Sequence, residues 1–278
     1  GVTDATSFRL RRTVDGAPAS FTMGPSTHRS FATLELDAPL DPATAYTLEV
    51  CDACGLASIP FETSAVGSEV PTAASLVGAT FVVDLWPMLV LAPAAASPLL
   101  ANLSQELGTK TTAIAVTDVA GDGSRLELLL GPVEATLVDG EVASVVQPCA
   151  ETRRLLADVD LTSPWFSITG DRFVFGGALE QVTLTGGFSP GPAAMEGMRM
   201  RGDLDMRRIP TAWRSFKGTT AEEACAGMAD LDLRCEPCDD GAVLCFRVDV
   251  AHLRAPRAPG FTLREISQGE VDAGCAGP

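Results

Sequence analysis

The stretch Met198-Arg199-Met200-Arg201-Gly202-Asp203-Leu204-Asp205-Met206-Arg207 carries an apolar residue or glycine at every even position and a charge at every odd one. A period of two belongs to a β-strand, whose successive side chains point to opposite faces, so this segment is a strand with one face on a core and the other in water. Val182-Thr183-Leu184-Thr185-Gly186-Gly187-Phe188 precedes it, separated by the loop Pro190-Gly191-Pro192. Antiparallel pairing across that loop sets Val182, Leu184 and Phe188 over the same core as the methionines.

Working outward, strand and turn alternate at short intervals from Thr111 to Ile209. Ala113 to Thr117 and Leu126 to Leu130 flank Gly121-Asp122-Gly123, and Thr136-Leu137-Val138 leads through Asp139-Gly140 into Val142 to Val146, so both read as hairpins. Such spacing predicts an antiparallel barrel or sandwich rather than an α/β fold. Upstream, Thr80 to Trp86 is a strand with Phe81, Val83 and Leu85 on one face. Ser97 to Leu107 has a helical stripe of leucines, with Ser97 as N-cap, Pro98 in the first turn and Gly108 as its stop. Downstream, Thr220 to Met228 is a helix capped by Thr219 or Thr220, with Glu222 and Glu223 in the turn where the dipole favours them. A hairpin follows, turning at Asp239-Asp240-Gly241, with Val243 to Val250 as its second strand.

The first 66 residues also alternate as short strands. Phe8 and Leu10 share a face, Asp15-Gly16 makes a turn before Phe21, and Phe31 to Leu36 is a further strand. Pro39 to Thr44 is a loop, Tyr46 to Val50 a strand, and Ile59 to Thr63 an edge-like strand containing Pro60. The run from Leu34 to Val50, LELDAPLDPATAYTLEV, followed by Phe61-Glu62-Thr63, resembles the SbsA-type bacterial Ig-like domain. The resemblance covers about a quarter of the chain. It implies that the proline loop joins two strands of a β-sandwich and that Tyr46 buries its ring while its hydroxyl finds a backbone partner. The opening strands of that family have no counterpart before Gly1, so a partial sandwich with an open edge is expected. The cysteine-spaced tail is similar to the C-terminal portions of secreted or lipid-anchored envelope proteins of myxobacteria.

The expected architecture is therefore mainly β. It comprises a partial Ig-like β-sandwich over 1–66, a linker over 67–74, and an antiparallel β-barrel or sandwich over 75–278, with one or two short helices and a disulfide-rich segment over 211–278.

Eight cysteines stand at Cys51, Cys54, Cys149, Cys225, Cys235, Cys238, Cys245 and Cys275. An even count crowded toward one end fits an oxidising compartment. The expected bridges are Cys51 with Cys54, Cys149 with Cys275, and two among the remaining four. Zinc is the competing use of Cys235-Glu236-Pro237-Cys238, but neither histidine lies in that cluster. Both Cys-x-x-Cys motifs fall in turns beside strands rather than at a helix N-terminus, which favours staples over thiol redox chemistry.

The formal charge is −16, from 36 acidic and 20 basic residues. Such a field repels phosphate backbones and anionic lipid, so no nucleic-acid partner is expected. The apolar stretch Leu76 to Leu103 is broken by Asp84, Pro87, Pro93 and Pro98 and does not read as a transmembrane segment. Residue 1 is Gly without a leader-like pattern after it, so the chain reads as a mature form or a fragment.

Catalytic signatures are weak. The two histidines, His28 in a loop and His252 after a strand end, stand without a Gly-x-Ser-x-Gly elbow or a phosphate-cradling loop. Asp203 and Asp205 share a strand face with Arg199, Arg201 and Arg207, which reads as a ladder of ion pairs rather than an acid–base pair. Asp118 to Gly123 resembles the start of a calcium loop but has Ala120 and Leu129 where ligands belong, so it reads as a turn. The expectation is a non-catalytic cell-surface or secreted protein, structural, adhesive or protein-binding, with no cofactor and no metal. The alternative is a β-barrel carrier holding a small hydrophobic ligand among the methionines.

Overall fold

The computed structural model describes residues 8–23, 34–38, 40–52, 55–67, 72–84, 89–92, 109–160, 165–172, 179–209, 219–229 and 234–275. The chain divides into two units, Gly1–Ser68 and Glu69–Pro278.

In the first unit β1 (Phe8–Arg12), β2 (Pro18–Ala19), β5 (Ala45–Asp52) and β6 (Gly55–Glu62) form a sheet in the order β2-β1-β5-β6, while β3 (Phe21–Met23) pairs with β4 (Leu34–Leu36). The register sets Leu10 against Leu48 and Leu48 against Ile59, and Arg12 against Tyr46 and Tyr46 against Phe61. One face of the sheet is therefore mainly apolar. Leu10 and Tyr46 are buried there, whereas Ile59 and Phe61 on the terminal strand β6 are exposed.

The second unit is built from long antiparallel strands. Along the main path lie β17 (Val243–Pro256), β15 (Ala194–Asp205), β14 (Leu179–Phe188), β13 (Trp165–Arg172), β12 (Arg153–Asp160), β10 (Arg125–Val138), β9 (Lys110–Val119) and β7 (Thr80–Val82), in that order. The two ends of this path meet. Phe81 bridges Arg257, and Asp84 bridges Arg254 through an Asp84 N–H to Arg254 carbonyl bond of 2.7 Å. The sheet thus curls round on itself, but among the described residues isolated bridges, not a continuous ladder, span the seam. The expected barrel or sandwich resolves into this curled sheet.

β14 and β15 pair as expected, in a register that sets Leu184 opposite Met200 and Phe188 opposite Met195. Every strand of the path contributes apolar side chains to one core. Phe188 packs against Phe166 and Phe81 at ring separations of 5.4 and 6.0 Å. Val182, Leu184, Phe188, Met195, Met198 and Met200 are each at most 2% exposed. That is a filled core, where 25 cal/mol per Å2 of apolar burial is an approximate guide to what such packing contributes. Gly202 holds an inward position in the alternation because a Cβ there would collide with the Leu179 side chain and press on the Glu180 carbonyl.

The β10/β11 hairpin, with β11 at Glu141–Val146, turns at Asp139-Gly140, both with positive φ (53° and 78°), as the two-residue turn matching strand twist requires. Among the described residues lie three short helices: α1 (Ala73–Leu76), α2 (Ala221–Met228) and α3 (Gln268–Asp272). For α2 the cap is Thr220, whose hydroxyl accepts the Glu223 N–H while Glu223 accepts from the backbone of Thr219 and Thr220. The helix expected over Ser97 to Leu107 lies outside the described residues.

Two expectations are corrected. The strand expected to end at Val250 continues to Pro256, because a bulge at His252 (φ 61°) absorbs one residue and restores the alternation, so His252 lies exposed within a strand instead of after one. The stretch after Pro87, read without a strand, contains β8 (Leu89–Ala92), which pairs with β17. The second edge of β17 is thereby covered in relay by β16 (Glu236–Pro237), by β8 and by the bridges from Phe81 and Asp84.

Candidate functional site

The outer face of β15 is the charged face foreseen from the alternation, and it continues onto β17. Asp203 lies directly across from Arg247, and Arg201 from Asp249. Arg247 Nε donates to Asp203 at 3.2 Å, Arg201 Nε to Asp249 at 3.0 Å, and Arg199 grips Asp249 through two bonds of 2.7 and 2.6 Å. Burial pushes the Asp249 carboxyl up, but the bonds from Arg199 and Arg201 outweigh it and hold the group below its ordinary value. A carboxylate kept ionised in this way is a poor proton donor, so the ladder positions strands instead of moving protons.

Asp205 departs from the alternation. It belongs to the charged face, yet it is only 1% exposed. The cause is the C-terminal hairpin, which folds over the end of β15. Arg207 binds both Asp205 oxygens (Nε to Oδ1 2.8 Å, Nη2 to Oδ2 2.9 Å), its own backbone N–H donates to Oδ1 at 2.9 Å, and its Nη1 reaches Asp240 in the hairpin turn at 2.5 Å. Arg208 lies between Asp205 and a second buried carboxylate, Glu180, at 3.4 and 3.5 Å. Gln181, at a β14 bulge with φ 47°, donates to Asp239 in the same turn. Burial pushes the Asp205 carboxyl up, and the Arg207 bonds more than offset it. Arg207 likewise draws Asp240 below its ordinary value. Two strands, a bulge and a hairpin turn are thus tied by one network of charges.

The cysteines complete that end. Cys225 on α2 is bonded to Cys235, and Cys238 to Cys245 across the hairpin, while Cys149 is bonded to Cys275. The two cysteines of Cys235-Glu236-Pro237-Cys238 therefore belong to different bridges, which removes both the redox-pair and the four-thiolate zinc geometries from the oxidised chain. Cys54 lies outside the described residues, and with it the Cys51–Cys54 pairing; His28 does too.

The third bridge is the expected Cys149–Cys275, but the segment that it fastens was not foreseen. Beyond β17 the chain crosses the outside of the sheet, where Ala258 and Leu263 close a smaller apolar cluster with Val82, Ala113, Ala115, Leu129, Val133 and Ala135. This strap is pinned along its length. The Gln147 side-chain amide exchanges two bonds with the Arg264 backbone (2.6 and 2.8 Å), Thr152 N–H donates to Ile266 O at 2.9 Å while Ile266 N–H donates to Thr152 Oγ1 at 2.8 Å, and Arg154 forks onto Glu265. Cys149–Cys275 closes its far end. The signal that was available is the long Cys149–Cys275 spacing, since the strap itself has no period.

The Asp118 to Gly123 segment is the end of β9 and the turn that follows it. Asp122 Oδ1 accepts both the backbone N–H and the hydroxyl of Ser124, and Asp118 Oδ1 accepts the Val119 N–H. In the first unit the notable surface is β6, the terminal strand of its sheet, where Ile59 is 49% exposed beside an exposed Phe61. Among the described residues no helix is long and apolar enough to cross a membrane.

Comparison with known protein families, with curated proteins and with solved structures returns no match.

Proposed function

We propose that this chain is a non-catalytic protein of a bacterial cell envelope, secreted or held at the outer membrane, in which an Ig-like module makes protein contacts and a stapled β body gives it rigidity. The observation that carries the reading is the set of three disulfides, one of which closes 126 residues of chain. Bridges of that kind persist outside the cytosol.

The Ig-like part is supported by Tyr46. Its ring is buried and stacks on Phe61 at 5.9 Å, and its hydroxyl accepts the Asp41 N–H at 3.1 Å, five residues upstream. A tyrosine tied back to the backbone a few residues earlier is a recurring device of Ig sandwiches. Exposed Ile59 and Phe61 on a terminal strand supply a surface suited to protein contact. The packed interior of the second unit gives the hydrophobic-carrier alternative no support, because the methionines that would line a cup are already covered.

The test is saturable retention of the fluorescent chain on isolated envelopes of the source bacterium. Retention that falls about tenfold in Ile59→Lys, as expected for a central contact residue, with an unchanged circular-dichroism spectrum, supports the reading. No saturable retention, or retention indifferent to Ile59→Lys, contradicts it.

A further inference from the structure

We propose that when the Cys238–Cys245 bridge is opened, Cys238, Cys245 and Asp205 bind a zinc ion. The inference stands on the geometry of the hairpin and does not depend on the envelope reading.

The two sulfurs and a carboxylate oxygen of Asp205 all lie within 4.8 Å of one another, and all three residues are buried. Among the described residues no other set of three Cys, His, Asp or Glu groups converges in this way. The cysteine Cα atoms are 5.1 Å apart. Small side-chain rotations are enough to move sulfurs attached at that spacing from bonding each other to bonding a shared ion at about 2.3 Å.

The hairpin does not depend on its bridge alone for shape. Cys238 N–H donates to Ala242 O and Gly241 N–H to Cys238 O, both at 2.8 Å, and Asp240 Oδ1 accepts the Ala242 N–H at 3.0 Å. Arg207 and Gln181 hold the turn from outside through Asp240 and Asp239. The thiols released by reduction therefore stay near each other.

Asp205 also has capacity to spare. A carboxylate offers about four lone-pair sites. Oδ1 uses two, accepting from the Arg207 backbone N–H and from Arg207 Nε, but among the described residues Oδ2 accepts only from Arg207 Nη2 at 2.9 Å, with Arg208 Nε at 3.4 Å. Oδ2 can bind a cation without giving up the Arg207 clamp, which in turn orients it. Two thiolates and one carboxylate suit zinc better than calcium or magnesium, and three protein ligands leave the fourth tetrahedral position to water.

The chemistry balances with a small dithiol as reductant. The dithiol attacks the bridge and leaves as its own cyclic disulfide, so two electrons and two protons pass to Cys238 and Cys245. Zinc binding then releases those two thiol protons to solvent.

The test uses the full chain, reduced with a dithiol, freed of excess reductant without air, and alkylated with iodoacetamide with and without zinc chloride before peptide mass mapping. Zinc is expected to slow alkylation of Cys238 and Cys245 at least tenfold while Cys149, Cys225, Cys235 and Cys275 react as before. Asp205→Asn should lower zinc affinity, read against a competing chelator, at least tenfold, since loss of even an outer partner costs about that much. Absence of zinc protection at Cys238 and Cys245 overturns the proposal, as does equal protection of Cys225 and Cys235 or undiminished affinity in Asp205→Asn. Should Asp205→Asn fail to fold, the site-resolved protection in the unaltered chain decides alone.

Discussion

The two units solve the same problem with different means. In the first, Leu10, Tyr46 and Val66 are the buried apolar residues among those described, and a terminal strand leaves Ile59 and Phe61 in solvent. In the second, a large core runs from Leu76 to Ala255 beside a smaller one under the strap, two bridges staple the C-terminal hairpin, and a third pins the strap over the outer face. The contrast teaches that rigidity here is concentrated away from the exposed apolar strand. A small sheet with few buried residues opens more readily, whereas a body with a large core and three staples resists change.

The largest effect that would sharpen this contrast is loss of the long bridge. Cys149→Ser with Cys275→Ser removes a constraint on 126 residues, and the chain-entropy relation puts the cost near 5 kcal/mol. Denaturant unfolding should show a loss of that order in the transition followed by Trp fluorescence, and a loss under about 1 kcal/mol would mean the strap's hydrogen bonds suffice without the bridge. Next comes Met198→Ala, a truncation inside the packed core, expected to cost about 3 kcal/mol by the same measurement.

Below these stands Asp249→Asn, which breaks the grip of Arg199 and Arg201 and should cost about 2 kcal/mol at neutral pH. Its pH dependence has a definite sign. Because the folded carboxyl lies below the unfolded value of 3.8, its contribution is fully present above that value and drains away as the pH falls through the folded one. The difference between Asp249→Asn and the unaltered chain should therefore be flat from pH 7 to about 5 and shrink in acid. A difference that grows in acid would mean that the ladder does not hold Asp249 ionised.

The first unit should respond on a smaller scale. Tyr46→Phe removes the hydroxyl that accepts the Asp41 N–H and is expected to cost about 1 kcal/mol, visible as faster hydrogen exchange at Asp41. Ile59→Ala on the exposed strand should change stability by less than about 0.5 kcal/mol. A large Ile59→Ala effect would erase the contrast, since it would place that residue in a core.

Much of the second unit was legible because its strands alternate strictly. Met198 to Arg207 announced both a strand and its wet face, and the partner Val182 to Phe188 followed from the same period. What escaped depends on contacts between distant residues. The burial of Asp205 is imposed by a hairpin more than thirty positions later, and nothing in a two-residue period can report such a cover. The strap from Ala258 to Ile266 is held by side-chain bonds to Gln147 and Thr152, so it lacks the alternation that marks a ladder strand. His252 interrupts the pattern of β17 with one extra residue, and a bulge looks like an ending when read along the chain alone. In the first unit, the burial of Tyr46 and its hydroxyl bond are what the Ig-like resemblance implied, an aromatic ring with a polar tip having few other ways to be covered.

Peptide mass mapping of the chain digested without reductant is the most direct measurement of the central claim. Three crosslinked pairs, Cys149 with Cys275, Cys225 with Cys235 and Cys238 with Cys245, are the expected result. Free thiols at these positions, or a crosslink between Cys235 and Cys238, would contradict it.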